Sequence, residues 1–455
     1  MISQPLGGVR KEISLRSRTR SLAFLIPIVC ASAMVATQAL LAWASSSFEN
    51  PGVGRWISHL DGNDPRLEHQ WGQAYLPFDT AEGLRHLRRA TQLSPLNRLY
   101  WEDFESACES SGDLRCPEEA GERLVALCPR VPSYQWIAAQ TYLQTNRLDA
   151  ALVHIRRLLE LDPNYAEEAW YALRNSLHDP EAVFEKVLAR NPDAEIKVGY
   201  VDFLSDQGNK DAAYRIWRRV VANSPPFPFA SAEPYLDRLI DSGRIDEAVN
   251  VWKDLDRLGI VHGSEARQQG NLVFNGDFEQ TPLDAGFDWR TGQTTYLVVD
   301  FSAPEAYHGG HCLRVDFTVR RNEEYEPVYQ IVPVLPRHTY ALEAFVRSEA
   351  ITSDSGPRLR VRDTQAAGFP EVTTETTVGT TPWHRVRLRF ATGPKTRAMR
   401  VSFWRPRSDV FPPQISGTFW LDTVSIQCLG DGQSGRSTQM EAARDEAGEA
   451  PGVIH

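Results

Sequence analysis

The sequence predicts a multidomain protein with an N-terminal transmembrane helix, an all-α repeat solenoid and an all-β sandwich. Three observations support this fold class. An uncharged run fills residues 22–44, apolar residues with helical spacing recur over residues 65–258, and alternating apolar residues replace them over residues 270–430. A chain of 455 residues has room for two or three domains of ordinary size.

The N-terminal segment is basic and is followed by an apolar run. Residues 1–21 contain several arginines and one acid, and no charged residue occurs in the 23 residues from Leu22 to Ala44. At about 1.5 Å per residue, such a helix spans a hydrocarbon core about 30 Å thick. The basic flank predicts a cytoplasmic N-terminus and a single-pass protein of the cytoplasmic (inner) membrane, with most of the chain on the periplasmic side. The alternative is a cleavable signal peptide that ends at residues 42–44.

Helical periodicity begins after a predicted linker at residues 45–64, which is rich in Ser, Gly, Pro and Asn. In a clear unit of the array, Ala151, Ile155 and Leu158 fall on one helical face. The prolines that end successive units are Pro95, Pro129, Pro163, Pro192 and Pro225. Their spacings of 34, 34, 29 and 33 residues indicate an internal repeat of helix pairs over residues 65–258, with one short unit.

Small residues recur at fixed places within these units. In the unit that ends at the third proline, Ala139 and Ala151 occupy two small positions and Tyr142 an aromatic one, while Gly208 and Gly243 fall in later turns. This pattern resembles the tetratricopeptide repeat family over about 190 residues. The resemblance implies a solenoid whose groove binds a protein or peptide partner.

The cysteines are too scattered for a small disulfide scaffold. Cys108 and Cys116 flank a turn between two predicted helices, where they would pair in an oxidising compartment. The alternative is that they are buried thiols, which behave as small hydrophobic side chains.

From residue 270 the apolar residues alternate with polar ones. Leu313, Val315 and Phe317 form one such run, and eight or nine runs separated by Gly, Pro and Asp lie between residues 271 and 427. This pattern predicts an antiparallel jelly-roll sandwich over residues 270–430. Residues 431–455 have few large apolar residues and are predicted to form a disordered tail.

Four short motifs mark this second domain. It opens with NLVFNGDFE at 271–279 and closes with GTFWLDTVSI at 417–426, with GFDW at 286–289 and HGGHCLRV at 308–315 between them. This layout resembles the carbohydrate-binding modules of the galactose-binding-like jelly-roll group over about 160 residues. The resemblance implies a glycan ligand, although the same fold also has purely structural uses.

Asp422 shares the alternation of Trp420, Val424 and Ile426, so we expect it to point inward with them. A buried carboxylate needs a cation or several hydrogen bonds. In the resembled modules, acids of the first and last strands hold a structural calcium ion, and Glu279 and Asp422 stand at the matching places. The alternative is that Asp422 caps a loop backbone and Glu279 is a solvated turn residue.

Glycan rings stack on exposed aromatic side chains, so aromatic residues of this domain are candidate glycan contacts. The candidates are Tyr296, Tyr325, Trp383 and Trp404. Trp289 and Trp420 are expected in the core. For each of the candidates, packing in the core or at its rim is the alternative.

Composition and motifs exclude several function classes. The net charge of −10 argues against a nucleic-acid partner, because phosphate contacts need a basic surface. The sequence has no GxSxG, P-loop or HExxH motif, and His308 and His311 lack an obvious third metal ligand. The chain is therefore not predicted to be an enzyme.

These observations favour a membrane-anchored, exported scaffold that binds a protein partner with the solenoid and glycan with the jelly roll. By analogy we expect a role in surface polysaccharide assembly or export. Two alternatives stay open. One is a glycan-active enzyme with its site in the jelly roll, and the other is a purely structural subunit of a membrane complex.

Overall fold

The computed structural model describes residues 29–39, 63–111, 115–261, 270–292, 295–364 and 371–431. The predicted basic segment at 1–21, nearly all of the linker at 45–64 and the tail at 431–455, apart from its first residue, lie outside the described residues. The described chain consists of a helical region followed by an antiparallel β-sandwich.

The predicted transmembrane helix at 22–44 is wrong. Within that segment the structure describes residues 29–39, which are helical (α1). No helix of the described ranges is both long enough and apolar enough to cross a membrane. The predicted location as a single-pass protein of the inner membrane is corrected together with the helix that implied it.

The chain divides into two compact units, one ending at His178 and the other beginning at Asp179. The first unit contains α2 (Pro65–Tyr75), α3 (Thr80–Leu93), α4 (Arg98–Ser111), α5 (Arg115–Leu127), α6 (Pro132–Gln144), α7 (Leu148–Leu161) and α8 (Ala166–Leu177). The helices from α2 to α7 contact one another in consecutive pairs, as a repeat array predicts.

The second unit begins with the remaining helices and ends with the sandwich. These helices are α9 (Pro180–Val183), α10 (Ala194–Asp206), α11 (Lys210–Asn223), α12 (Phe229–Asp241) and α13 (Ile245–Arg257). One π-helical turn, Phe184–Leu188, extends α9. This helix is shorter than its neighbours, in agreement with the short proline spacing at this point of the sequence.

Local sequence explains where the helices begin and why they approach closely. Asp64 and Asp79 cap α2 and α3 by accepting hydrogen bonds from backbone N–H groups of the first turn. The small residues Ala151, Ala213 and Ala248 are fully buried, which lets neighbouring helix backbones approach.

The sandwich consists of two five-stranded sheets. Its strands are β1 (Arg290–Thr291), β2 (Leu297–Ala303), β3 (Cys312–Arg321), β4 (Tyr325–Pro333), β5 (His338–Ile351), β6 (Arg358–Asp363), β7 (Val372–Thr373), β8 (Gly379–Ala391), β9 (Ala398–Arg405) and β10 (Ile415–Asp431). Sheet A has the order β1-β4-β9-β6-β7, and sheet B has the order β2-β3-β10-β5-β8. One core lies between them, and it includes Trp289, Phe403 and Phe419.

The last helix pair packs against the start of the sandwich. The Trp252 ring on α13 meets Phe274 and Phe287 edge-on, with centroids 5.1 and 5.8 Å away. Gly286 has a φ of +59°, and a Cβ there would lie 2.5 Å from the Trp252 ring. Glycine at this position therefore permits both the turn and the close contact.

A β-bulge at Thr423 changes the expected direction of Asp422. The pairing of β10 with β5 shifts register between Asp422 and Ser425, and Thr423 has a φ of +51°. Before the bulge, Asp422 shares the outer face of sheet B, and after it Val424 enters the core. Asp422 is buried, as expected, but a surface loop covers it and the core does not.

Candidate functional site

The outer face of sheet A combines aromatic and charged side chains. Residues of β9 alternate, so that Val401 and Phe403 enter the core while the residues between them point outward. Pairing with β4 and β6 brings further outward residues alongside. We call this surface the arginine face, and it consists of Glu326, Tyr329, Arg358, Arg360, Arg362, Arg400, Ser402 and Trp404.

Two aromatic rings of the arginine face are only partly buried. The Trp404 Nε1–H donates a 2.6 Å hydrogen bond to Glu324, and the Arg360 guanidinium lies 4.5 Å from the Trp404 ring centroid. The Arg400 guanidinium lies 3.5 Å from the centroid of Tyr329. Because the polar partners fix both rings in place, the rings are oriented before any ligand arrives.

Glu326 is the centre of the charge network on this face. Its carboxylate lies 2.8 Å from Arg360, 3.1 Å from Arg362 and 3.1 Å from Arg400. Burial raises the pKa of Glu326, but the hydrogen bond from Arg360 and the nearby guanidinium charges outweigh burial, so its pKa lies below the ordinary value. Glu326 is therefore ionised at neutral pH and orients three arginines.

Arg358 differs from the other arginines of the face. Within the described part of the chain, no carboxylate lies within ion-pair distance of its guanidinium, and its buried Nε has no acceptor. Burial lowers the pKa of Arg358, and the charge of Asp354 opposes that effect. Its positive charge is thus the least neutralised on the arginine face.

Arg405 holds the chain segments beside Trp404. This fully buried guanidinium donates to five oxygen atoms, which belong to Asn322, Glu323, Ser353, Ser355 and Pro413. Burial lowers the pKa of Arg405. Because every donor has an acceptor, the loops at this end of the sandwich are fixed relative to β9.

The four aromatic candidates from the sequence are not brought together. Trp404 lies on the arginine face, whereas Tyr325 is 6% exposed within the core and offers no ring face to a ligand. Tyr296 directly precedes β2, and Trp383 lies on β8. These two strands form the opposite edges of sheet B. Sequence reasoning missed Tyr329 and the arginines, although Arg358, Arg360 and Arg362 repeat with the period of a strand.

The outer face of sheet B carries a second aromatic cluster. Tyr307 is 47% exposed and stacks on Phe345 with centroids 3.8 Å apart, and Trp383 lies 6.0 Å from Tyr307. Trp420 is buried on the same face, where it packs with Ala303 and Cys312, and the Arg347 guanidinium lies 4.4 Å from its ring centroid. Trp420 is thus covered, as expected, but outside the main core.

The loop over this cluster is held by the two acids of the calcium prediction. Asp422 accepts hydrogen bonds of 2.8 and 3.0 Å from the backbone N–H groups of Tyr307 and His308. Glu279 accepts bonds of 2.7 and 3.0 Å from those of Gly310 and His311. The histidine motif at 308–311 therefore forms a turn that its backbone anchors.

These contacts bear on whether the acids fit a calcium ion. Burial raises the pKa of Asp422 and the three backbone donors around it oppose that effect. Backbone N–H groups already occupy both carboxylate oxygens of Asp422 and Oε1 of Glu279, and calcium takes six to eight oxygen ligands. No cluster of three or more His, Cys, Asp or Glu side chains that could hold a metal occurs in the described ranges. The geometry fits hydrogen-bonded anchors, and calcium stays a prediction.

The two cysteines of the candidate disulfide lie in the first unit. Cys108 and Cys116 are joined as a disulfide with their Cα atoms 5.5 Å apart, within the normal range for a bridge. Both cysteines are buried in the cluster between α4 and α5. The bridge therefore ties this helix pair together.

Known structures share parts of this architecture at low identity. A family 16 carbohydrate-binding module is 19% identical with a TM-score of 0.24, and the match covers 34% of this chain and 99% of that one. MamA is 12% identical with a TM-score of 0.25, covering 38% and 84%. The enzymatically active domain of bacteriophage CBA120 tailspike protein 4 is 15% identical with a TM-score of 0.25, covering 35% of this chain and only 21% of its own.

No protein-family model and no curated protein sequence matches the chain. The similar structures include carbohydrate-binding and helical-repeat proteins. Their TM-scores of 0.24 and 0.25 are too low to establish a family.

Proposed function

We propose that this protein is a non-enzymatic binding protein whose arginine face binds glycan and whose helical repeats bind a protein partner. The observation that carries the glycan part is the pairing of Trp404 and Tyr329 with a dense set of charged donors and acceptors on one sheet face. Sugars present apolar C–H patches and hydroxyl groups together, and this mixture of ring faces and polar groups is complementary to both.

The experiment is a binding titration of the full chain against a panel of soluble polysaccharides. Trp404→Ala should weaken binding about tenfold, because an aromatic contact contributes about 0.5–1.5 kcal/mol beyond the area that it buries, and about 1.4 kcal/mol is tenfold in affinity. Trp383→Ala, on the outer face of sheet B, is the matched control and should leave affinity unchanged. A loss of binding with Trp383→Ala alone would move the site to sheet B and contradict the proposal.

The same panel separates binding from catalysis. A binding protein should leave the reducing-end concentration of each polysaccharide unchanged over hours, at protein concentrations that saturate binding. Release of new reducing ends that disappears with Glu326→Gln would favour the glycan-active enzyme instead.

The protein-partner part is supported by apolar side chains on the surface of the first unit. Phe78, Leu96 and Leu99 are exposed large hydrophobic residues close to helix ends. We expect Phe78→Ser with Leu96→Ser to reduce cross-linking to a partner protein, while Val298→Ser on the sandwich should not. Equal cross-linking by all variants would contradict a binding role for this surface. A role in surface polysaccharide assembly stays a prediction.

A further inference from the structure

We propose that the glycan bound by the arginine face is acidic, that is, a polysaccharide that carries carboxylate groups. This inference rests on the proposed function and names the class of its ligand. It is carried by the balance of charges on the face and by the position of Arg358.

The positive charges on the face exceed the negative charges that contact them. Four arginines (Arg358, Arg360, Arg362 and Arg400) face three carboxylates within ion-pair distance, those of Glu324, Glu326 and Glu371. A fourth carboxylate, Asp354, acts on Arg358 from beyond that distance and is exposed. One carboxylate, that of Glu326, serves three of the arginines. Glu324 and Glu371 are much more exposed than Glu326, so water screens their charges more strongly.

This excess is local, because the whole chain carries a net charge of −10. An acidic protein repels a polyanion at long range, so an acidic glycan would bind only where the surface reverses sign. The arginine face provides such a reversal beside Trp404 and Tyr329. A neutral glycan that covers the face would remove water from Arg358 and leave it with the Trp404 ring, 5.6 Å away, and the more distant Asp354 charge, which costs free energy.

The geometry of β6 suits a repeating anion. Arg358, Arg360 and Arg362 project from alternate positions of one strand, so their backbone positions are about 6.7 Å apart in succession. A guanidinium presents its N–H groups in a planar fork that matches a carboxylate, and a lysine lacks this fork. Arg360 is buried and its terminal nitrogens already pair with Glu324, Glu326 and Glu371. Arg358 and Arg362, about 13 Å apart along the strand, are therefore the two arginines of β6 that can meet carboxylates of one polymer.

The test uses the full chain and two polymers with the same backbone, polygalacturonate and fully methyl-esterified pectin. Isothermal titration at two salt concentrations should show at least about tenfold tighter binding of polygalacturonate at low salt, and this preference should shrink as salt is added. Arg358→Gln should remove most of the preference, and Arg358→Lys should restore part of it. Arg385→Gln, which removes an exposed arginine from β8, is the control and should change nothing.

Each other outcome has a defined meaning. Equal binding of both polymers overturns the acidic ligand and leaves the proposed function standing, whereas binding of neither, together with a negative glycan panel, overturns both. Equal binding of duplex DNA and polygalacturonate would show a general anion surface and overturn the inference. If Arg358→Gln lowers the melting temperature, Arg362→Gln gives a second measurement, because that side chain is more exposed.

Discussion

Asp237 on α12 accepts hydrogen bonds from both terminal nitrogens of Arg290 on β1, at 3.0 and 2.7 Å. The same carboxylate accepts a 3.0 Å bond from the backbone N–H of Gly286. Beside this pair, Trp252 is fully buried against Phe274 and Phe287. The sandwich therefore covers the apolar end of the last helix pair, which in a repeat array otherwise needs a polar capping helix.

The Asp237–Arg290 pair should stabilise the joint between helices and sandwich. We expect Asp237→Asn to lower the free energy of unfolding by about 1–3 kcal/mol, because it leaves a partly buried guanidinium without its counter-charge. Urea denaturation monitored by tryptophan fluorescence measures this change. Asp246→Asn is the control, because its 3.5 Å pair with Arg397 is exposed and should contribute less than about 0.5 kcal/mol. Equal effects of the two substitutions would contradict the assigned role.

A second prediction concerns helix contact in the array. Ala213 on α11 is fully buried, so Ala213→Leu should overpack the contact and lower stability by about 1–3 kcal/mol. Ala222→Leu adds the same side chain at an exposed position of the same helix and should have little effect. Thermal unfolding followed by circular dichroism compares them. An unchanged melting temperature for Ala213→Leu would show that the helices are not in contact there.

Glu105 on α4 should make stability depend on pH. Burial raises its pKa to about 7 from an ordinary 4.5, and the Glu109 charge adds to this effect. Because the folded pKa lies above the unfolded one, stability is highest below about pH 4.5 and falls as pH rises to about 7. Glu105→Gln lacks this dependence and should be more stable than the wild type by up to about 3 kcal/mol above pH 7.

The measurement is the difference in unfolding free energy between the wild type and Glu105→Gln from pH 4.5 to 8. Taking the difference removes the titration of other groups. Glu109→Gln, at an exposed position, should reproduce only a small part of the effect. A difference that does not vary with pH would show that Glu105 titrates normally.

Asp422 provides a prediction about the loop at 307–311. An amide cannot accept hydrogen bonds with both of its side-chain atoms, so Asp422→Asn should leave a backbone N–H unpaired and cost about 1–3 kcal/mol. From the hydrogen-bonded geometry we expect a chelator to leave the melting curve of the wild type unchanged. Asp409→Asn, on an exposed loop, is the control.

The opposite result would be a melting temperature that falls when chelator is added and recovers when excess calcium is added. Such a result would support the calcium prediction for Glu279 and Asp422, since a ligand that binds the folded state stabilises it by mass action. It would also mean that the N–H contacts rearrange when the ion binds.

Periodicity in the sequence determined the succession of helices and strands. Apolar residues at helical spacing place Ala151 and Ile155 in a packed helix, and alternation places Val401 and Phe403 in the core. These patterns work because each element buries one face, which is a local property of the chain. The uncharged run at 22–44 gave a wrong prediction, because hydropathy alone does not establish a membrane-spanning helix, and no helix of the described ranges meets that requirement.

Tertiary structure alone decided the direction of Asp422 and the membership of the arginine face. One extra residue at the Thr423 bulge reverses the alternation of β10, and nothing in the local apolar pattern marks it. The arginine face joins residues of β4, β6 and β9, which are distant in sequence and become neighbours through strand pairing. Strand order depends on long-range contacts, so a site assembled across three strands is a property of the fold and not of any one segment.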